Sequence, residues 1–124
     1  MGKRVHVIKR HEDYGETEAF NWQFEEFNNF LGQLGCHMCH EEGIYNRFEC
    51  DVDEYKTALS LVKAYKKKGR VKSVVEKFDY ANADIDEFEK RIEELGGLDY
   101  VLNAMQAFYN ERDKKSDWIS FSAW

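Results

Sequence analysis

The sequence contains no proline, and no stretch of it stays apolar for the roughly 18–20 residues that a membrane-spanning helix needs. Its three cysteines are an odd number, which fits a reducing compartment better than a framework of disulfide bonds. The N-terminal residues 1–13 lack the apolar segment of a secretory signal. We therefore predict a cytoplasmic protein with no membrane association.

The sequence motifs of common enzymes are also absent. There is no phosphate-binding glycine loop, no G-x-S-x-G, no H-E-x-x-H and no dinucleotide fingerprint. Adjacent acids such as Glu93 and Glu94 do not converge on one point of a helix. The alternative is a thiolate at Cys39 activated by His37 on the same strand face. We expect a protein without catalytic activity.

The chain is large enough for one hydrophobic core. Its 124 residues are 43% hydrophobic and 15% aromatic, which excludes a disordered chain. We predict a single domain over residues 1–124. A core over 1–80 would carry an extension over 81–124, made of a helical hairpin and a terminal strand.

Apolar periodicity predicts the elements of this domain. An aromatic stripe that starts at Phe20 predicts a first helix, with Trp22 and Phe30 widening its apolar face. The elements are a strand at 3–10, a helix at 16–34, a hairpin with arms 36–41 and 46–52 around a turn within 42–45, a helix at 53–68, a strand at 70–80, helices at 84–95 and 98–113, and a strand at 118–124. For 70–80, a continuing helix is the competing interpretation. The fold class is α+β, and the first six elements have the βαββαβ order of a ferredoxin-like sandwich.

The net charge of −6 is the sum of four segments that each carry a large excess of positive or negative charge. Residues 1–10 carry +4, 11–54 carry −11, 55–79 carry +6 and 80–124 carry −5. An acidic face of this kind can meet a basic partner, so we predict a small protein-binding module that is regulatory or inhibitory. Small acidic inhibitors of phages and other mobile elements are proteins of this type. The oligomeric state stays open, and a homodimer is compatible with the sequence.

The predicted partner-binding residues are acids of the second block and large aromatic residues of the C-terminal tail. Aromatic anchors near a chain end are typical of binding surfaces, although the tail also fits an edge strand that completes the sheet. The set is Glu12, Asp13, Glu41, Glu42, Glu49, Asp51, Trp118, Phe121 and Trp124.

A zinc site is the first alternative. Cys36 and Cys39 have the C-x-x-C spacing of a zinc knuckle, with His37, His40 and Cys50 nearby. On a strand, however, neighbouring side chains point to opposite faces. This alternation predicts Cys36 and Cys50 in the core and Cys39 outside with His37, which divides the ligand set. We therefore expect no metal cofactor.

Nucleic-acid binding is the second alternative. A basic patch could form from the N-terminal arginines, Arg4 and Arg10, and the cluster of Lys66, Lys67, Lys68, Arg70 and Lys72. The open face of the predicted sheet would carry Arg47, Glu49 and Asp51, and it lacks the aromatic residues on which RNA bases stack. Nucleic acid is thus the less favoured partner.

Overall fold

A computed structural model describes residues 3–9, 14–40 and 47–123 of the chain. The described part has the α+β class that the sequence predicts, with an antiparallel four-stranded sheet and five helices. The strands are β1 (Val5–Val7), β2 (Cys39–His40), β3 (Arg47–Asp51) and β4 (Trp118–Ala123). The helices are α1 (Phe24–Gln33), α2 (Val52–Lys68), α3 (Lys72–Tyr80), α4 (Ile85–Glu94) and α5 (Leu98–Glu111).

The order of strands in the sheet is β1-β4-β3-β2, and every pair is antiparallel. The last strand of the chain therefore lies between the first and third. Val7 and Phe48 both lie opposite Phe121, one from each neighbouring strand. The ferredoxin-like arrangement is not confirmed, because this order differs from that of such a sandwich.

One face of the sheet packs on the helices. Alternation places Val7, Phe48, Cys50, Ile119 and Phe121 on that face, and all are almost completely buried. The aromatic rings of the core contact one another: Phe27 of α1 lies within 6.0 Å, centroid to centroid, of the rings of Phe20, Phe48, Phe108 and Phe121. The aromatic stripe that starts at Phe20 thus belongs to the core, as the periodicity predicts.

The predicted strand at 70–80 is wrong, because this segment forms α3. Val74 and Phe78 are its buried residues, four positions apart on one face of the helix. Val71 and Val75, four positions apart, share one face of a strand as well as one face of a helix, so the pattern alone did not separate the two. The competing interpretation, a helix, is the one observed.

The first helix is shorter than predicted. It begins at Phe24, and residues 16–23 are not helical. Ala19 instead forms an antiparallel bridge with Val5, with both backbone hydrogen bonds present at 2.7 and 3.2 Å. Phe20 and Trp22 have positive φ angles of 56° and 62°, which a right-handed helix does not allow.

The other predicted helices are confirmed within a few residues. Asp84, the first residue of the predicted helix, caps α4, since its carboxylate accepts from the backbone N–H groups of Asp86 and Glu87. For α2 the capping residue is Asp51, two residues before the predicted start of the helix at 53. The hairpin is present as β2 and β3, with Cys39 opposite Glu49. Its predicted turn lies outside the described residues.

Candidate functional site

The structure separates the cysteine and histidine residues around the hairpin. Cys36 and Cys50 are buried free thiols, whereas Cys39 is exposed, and so are His37 and His40. The predicted division of the cysteines between core and surface is therefore confirmed. Within residues 3–9, 14–40 and 47–123, no three His, Cys, Asp or Glu side chains converge as a metal site would require.

Two of these residues have other partners. His37 Nδ1 lies 2.7 Å from Glu54 Oε2, and the His37 backbone N–H donates to Glu54 Oε1. The pKa of the Cys50 thiol is raised by its hydrogen bond with Cys36 and by burial. A thiol with a raised pKa is a poor nucleophile at neutral pH. The Cys39 thiol contacts the backbone carbonyl of His37 at 4.0 Å, and Nδ1 of the His37 ring faces Glu54.

The described acids of the predicted partner-binding set make hydrogen bonds within the fold. Glu49 accepts a hydrogen bond from Ser120 Oγ at 2.9 Å across the sheet. Asp51 accepts from the backbone N–H groups of Asp53 and Glu54 at the start of α2. The other predicted acids, Glu12, Asp13, Glu41 and Glu42, lie outside the described residues.

The aromatic residues of the C-terminal strand have different environments. Phe121 is completely buried in the core, so it has no surface to offer a partner. Trp118 is exposed and lies opposite Asp51 on the sheet face that points away from the core. Trp124 lies outside the described residues.

The predicted basic patch is divided by ion pairs. Lys66 of α2 contacts Asp99 of α5, and Arg70 contacts Asp86 and Glu89 of α4. At the N-terminus, Arg4 lies 4.0 Å from Glu18. These cations are exposed and partly neutralised by neighbouring carboxylates, which weakens the case for a phosphate-binding face.

Trp22 is unusual among the exposed residues. Its side chain is 63% exposed, although its backbone has a left-handed conformation that bulky residues rarely adopt. The turn is held from both sides, because Trp22 N–H donates to the carbonyl of Lys3 at 2.7 Å and Gln23 N–H to that of Phe20 at 2.9 Å. A fixed backbone therefore presents an indole ring to solvent.

Neighbouring elements complete a surface around this turn. The phenol of Tyr100, at the start of α5, accepts a hydrogen bond from the Phe20 N–H at 3.0 Å. Gln23 Nε2 donates to the carbonyl of Glu94, at the end of α4, at 2.6 Å. Glu25 follows in the first turn of α1 and is exposed. We call Trp22, Glu25, Glu94 and Tyr100 the Trp22 surface.

The charge around this surface is mainly negative. Glu25 and Glu26 begin α1, and Glu93 and Glu94 end α4, whereas Lys3 and Arg91 are cations that the structure places nearby. Arg91 lies 3.1 Å from Glu94 and is engaged with it. A large aromatic ring with acidic neighbours can bind a cationic side chain over its face while carboxylates neutralise the charge.

Sequence reasoning placed Trp22 on the apolar side of a helix and so missed this surface. The signal that it overlooked is the spacing: Trp22 departs from the stripe of Phe20, Phe24 and Phe27. Tyr100 was missed as well, since it lies outside the buried positions of α5, where Val101 and Met105 face the core.

No helix in the described part of the chain is long and apolar enough to cross a membrane. Comparisons with protein families, with curated proteins and with solved structures find nothing that matches this chain.

Proposed function

We propose that the protein is a non-catalytic binding module, regulatory or inhibitory in role, that engages a basic segment of a partner protein through the Trp22 surface. The observation that carries this proposal is Trp22, which is 63% exposed on a turn with a φ of 62°. Strained backbone that exposes a large aromatic ring is more common at binding sites than elsewhere, because folding alone gains little from it.

The aromatic and acidic residues would have separate tasks. Burial of the indole ring under a partner would supply most of the affinity, since tryptophan is the residue most enriched among interface hot spots. The exposed carboxylate of Glu25 would favour encounter with a positively charged segment and disfavour acidic ones, whereas Glu94, which is paired with Arg91, would contribute less. Exposed charges of this kind contribute little affinity on their own, which makes the ring the main anchor.

The direct test is binding of defined peptides, measured by NMR chemical-shift mapping on the full chain. A lysine- and arginine-containing peptide with one aromatic residue is compared with the same peptide after its basic residues are replaced by glutamate. We expect the basic peptide to shift the indole N–H of Trp22 and the amides around Glu25 and Tyr100. Affinity should fall as salt rises from about 0.05 to 0.5 M, because screening shortens the range of the charges.

Two tryptophan variants provide a matched pair. Trp22→Ala should weaken binding by about 30-fold, the loss that a hot spot of about 2 kcal/mol gives. Trp118→Ala removes another exposed ring, 43% accessible on the far sheet face, and should leave affinity unchanged. If Trp118→Ala is the damaging variant, the partner binds at the C-terminal strand; if salt has no effect, the acidic mechanism is wrong.

A further inference from the structure

A second charged feature lies at the other end of α5. A groove of about 370 Å³ is lined by Lys9 and by residues 110–115, the end of α5 and the connection to β4. Tyr100 and Arg112 are twelve residues apart along this helix, which corresponds to roughly 18 Å at about 1.5 Å per residue. The groove is therefore separate from the Trp22 surface.

The arginine of this groove is held in place by its own surroundings. The guanidinium carbon of Arg112 lies 3.9 Å from the ring centroid of Tyr109, and Nη1 donates to the Tyr109 carbonyl at 2.6 Å. Nε is buried and makes no hydrogen bond to any residue that the structure describes, so the donors that face the groove are those at the end of the guanidinium. A guanidinium that is already stacked and oriented loses little freedom when an anion binds.

The two carboxylates that line the groove are already engaged. Both oxygens of Glu111 accept from Thr17, one from its backbone N–H at 2.9 Å and the other from its hydroxyl. Asp113 Oδ1 accepts from the backbone N–H of Lys115 at 3.0 Å. The cations are Lys9, Arg112, Lys114 and Lys115, so the described lining has an excess of positive charge in a chain of net charge −6.

We propose that this groove, the Arg112 groove, binds a small phosphorylated molecule. A phosphate group matches a planar guanidinium surrounded by lysines, because it accepts several charge-assisted hydrogen bonds at once. The volume lies at the lower end of the range of small-molecule sites, which start at about 300 Å³. The unpaired carbonyl groups at the C-terminal end of α5 carry partial negative charge, which disfavours a bound anion by a modest amount. Arg112 offsets part of this repulsion by donating a hydrogen bond to the carbonyl of Tyr109.

The test is an NMR titration of the full chain with pyrophosphate at constant ionic strength, with chloride as the reference anion. We expect saturable shifts at the amides of residues 110–115 and none at the Trp22 surface. The double variant Lys114→Gln, Lys115→Gln should bind pyrophosphate about tenfold more weakly, since two charge-assisted contacts are lost. Arg112→Lys keeps the charge but loses the fork of donors, and should weaken binding as well.

The matched control is Lys67→Gln, Lys68→Gln, which removes the same charge from the exposed end of α2. It should keep the affinity of the unaltered protein within about twofold, as expected for charges distant from the site. Equal weakening in both double variants, or shifts that never saturate, would mean general attraction of anions and overturn the proposal. Far tighter binding of a single-stranded oligonucleotide, with shifts that spread to Lys66 and Arg70, would identify a polyanion and also overturn it.

Discussion

Phe20 and Trp22 both have positive φ angles, and the cost of that conformation is offset differently at each. A left-handed backbone costs a residue with a side chain about 1–2 kcal/mol. At Phe20 the ring is completely buried and stacks on Phe27 at a centroid distance of 4.4 Å, so packing offsets the cost. At Trp22 the ring is 63% exposed, and little packing is available to offset it.

This difference predicts the effect of glycine at position 22. Trp22→Gly should make the protein about 1 kcal/mol more stable than Trp22→Ala, because glycine adopts a φ of 62° without steric cost. The comparison of two small residues removes the contribution of the indole ring itself. Urea denaturation of both variants measures the difference in the free energy of unfolding. Equal stabilities would show that residue 22 is not strained.

His6 is the buried titratable residue of β1. Its side chain faces Glu18 at 3.9 Å and the ring of Tyr14 at a centroid distance of 6.3 Å. Burial lowers the pKa of His6 below its usual 6.5. The charge of Glu18, a hydrogen bond to the Gly15 backbone and the more distant Glu111 act in the opposite direction, and Arg4 acts in the same direction as burial.

A lowered pKa in the folded state predicts a loss of stability in acid. Below pH 6.5 the unfolded chain binds more protons at His6 than the folded chain does, so the free energy of unfolding falls as pH falls toward the folded pKa. The contribution is fully present above pH 6.5, and its slope is at most about 1.4 kcal/mol per pH unit. His6→Gln should reduce the pH dependence of urea denaturation between about pH 6.5 and 5. The exposed His40→Gln variant is the control, and an unchanged slope in His6→Gln would contradict the prediction.

At the scale of elements, the sequence predicted the cap of α4 correctly, placed the start of α2 two residues past its cap, and mistook α3 for a strand. Asp51 and Asp84 precede acid-rich first turns, a local signal that sequence displays directly. The segment at 72–80 displays no such signal, because Val71 caps it without a side-chain hydrogen bond. Its β-branched residues favour a strand locally, and packing of Val74 and Phe78 against the core decides for a helix.

Residues 16–23 show a different limit of sequence reasoning. Phe20, Phe24 and Phe27 all pack in or against the core, as their spacing predicted, although Phe20 does not lie on the helix. Phe20 lies in a turn next to Ala19, which pairs with Val5 fourteen residues earlier in the chain. Pairing between residues that are distant in sequence does not change the local spacing of apolar residues. Periodicity alone could therefore not predict the Trp22 surface.

Substitution of Asp51 tests whether a predicted partner-binding acid instead stabilises the fold. Asp51→Ala should lower the free energy of unfolding by about 1 kcal/mol, because α2 loses a side-chain acceptor for the N–H groups of Asp53 and Glu54. Asp51→Asn keeps a capping oxygen and should lose much less. Thermal and urea unfolding of both variants provide the comparison. Equal losses in the two would assign the effect to charge and not to the cap.

At the scale of the whole molecule, the sheet joins the two ends of the described chain. β4 pairs with β1 over Phe121–Ala123 and with β3 over Trp118–Ser122. The sequence predicted β4 as a strand, and a position at the edge of the sheet was the natural inference for a terminal segment. The position of β4 between β1 and β3 depends on pairing between residues far apart in the chain, which a single sequence does not reveal.

The position of β4 predicts its hydrogen-exchange pattern. In an antiparallel sheet, successive N–H groups of a strand point to opposite neighbours, so an edge strand leaves every second amide open to solvent. Phe121 and Ser122 each have a partner on both sides, and both amides should therefore exchange slowly. We expect protection close to that of α5 at both positions, measured by NMR on the full chain, because opening either amide requires separation of the sheet. Alternating fast and slow exchange along β4 would instead place it at an edge. That result would also remove the basis for β1 and β3 sharing Phe121.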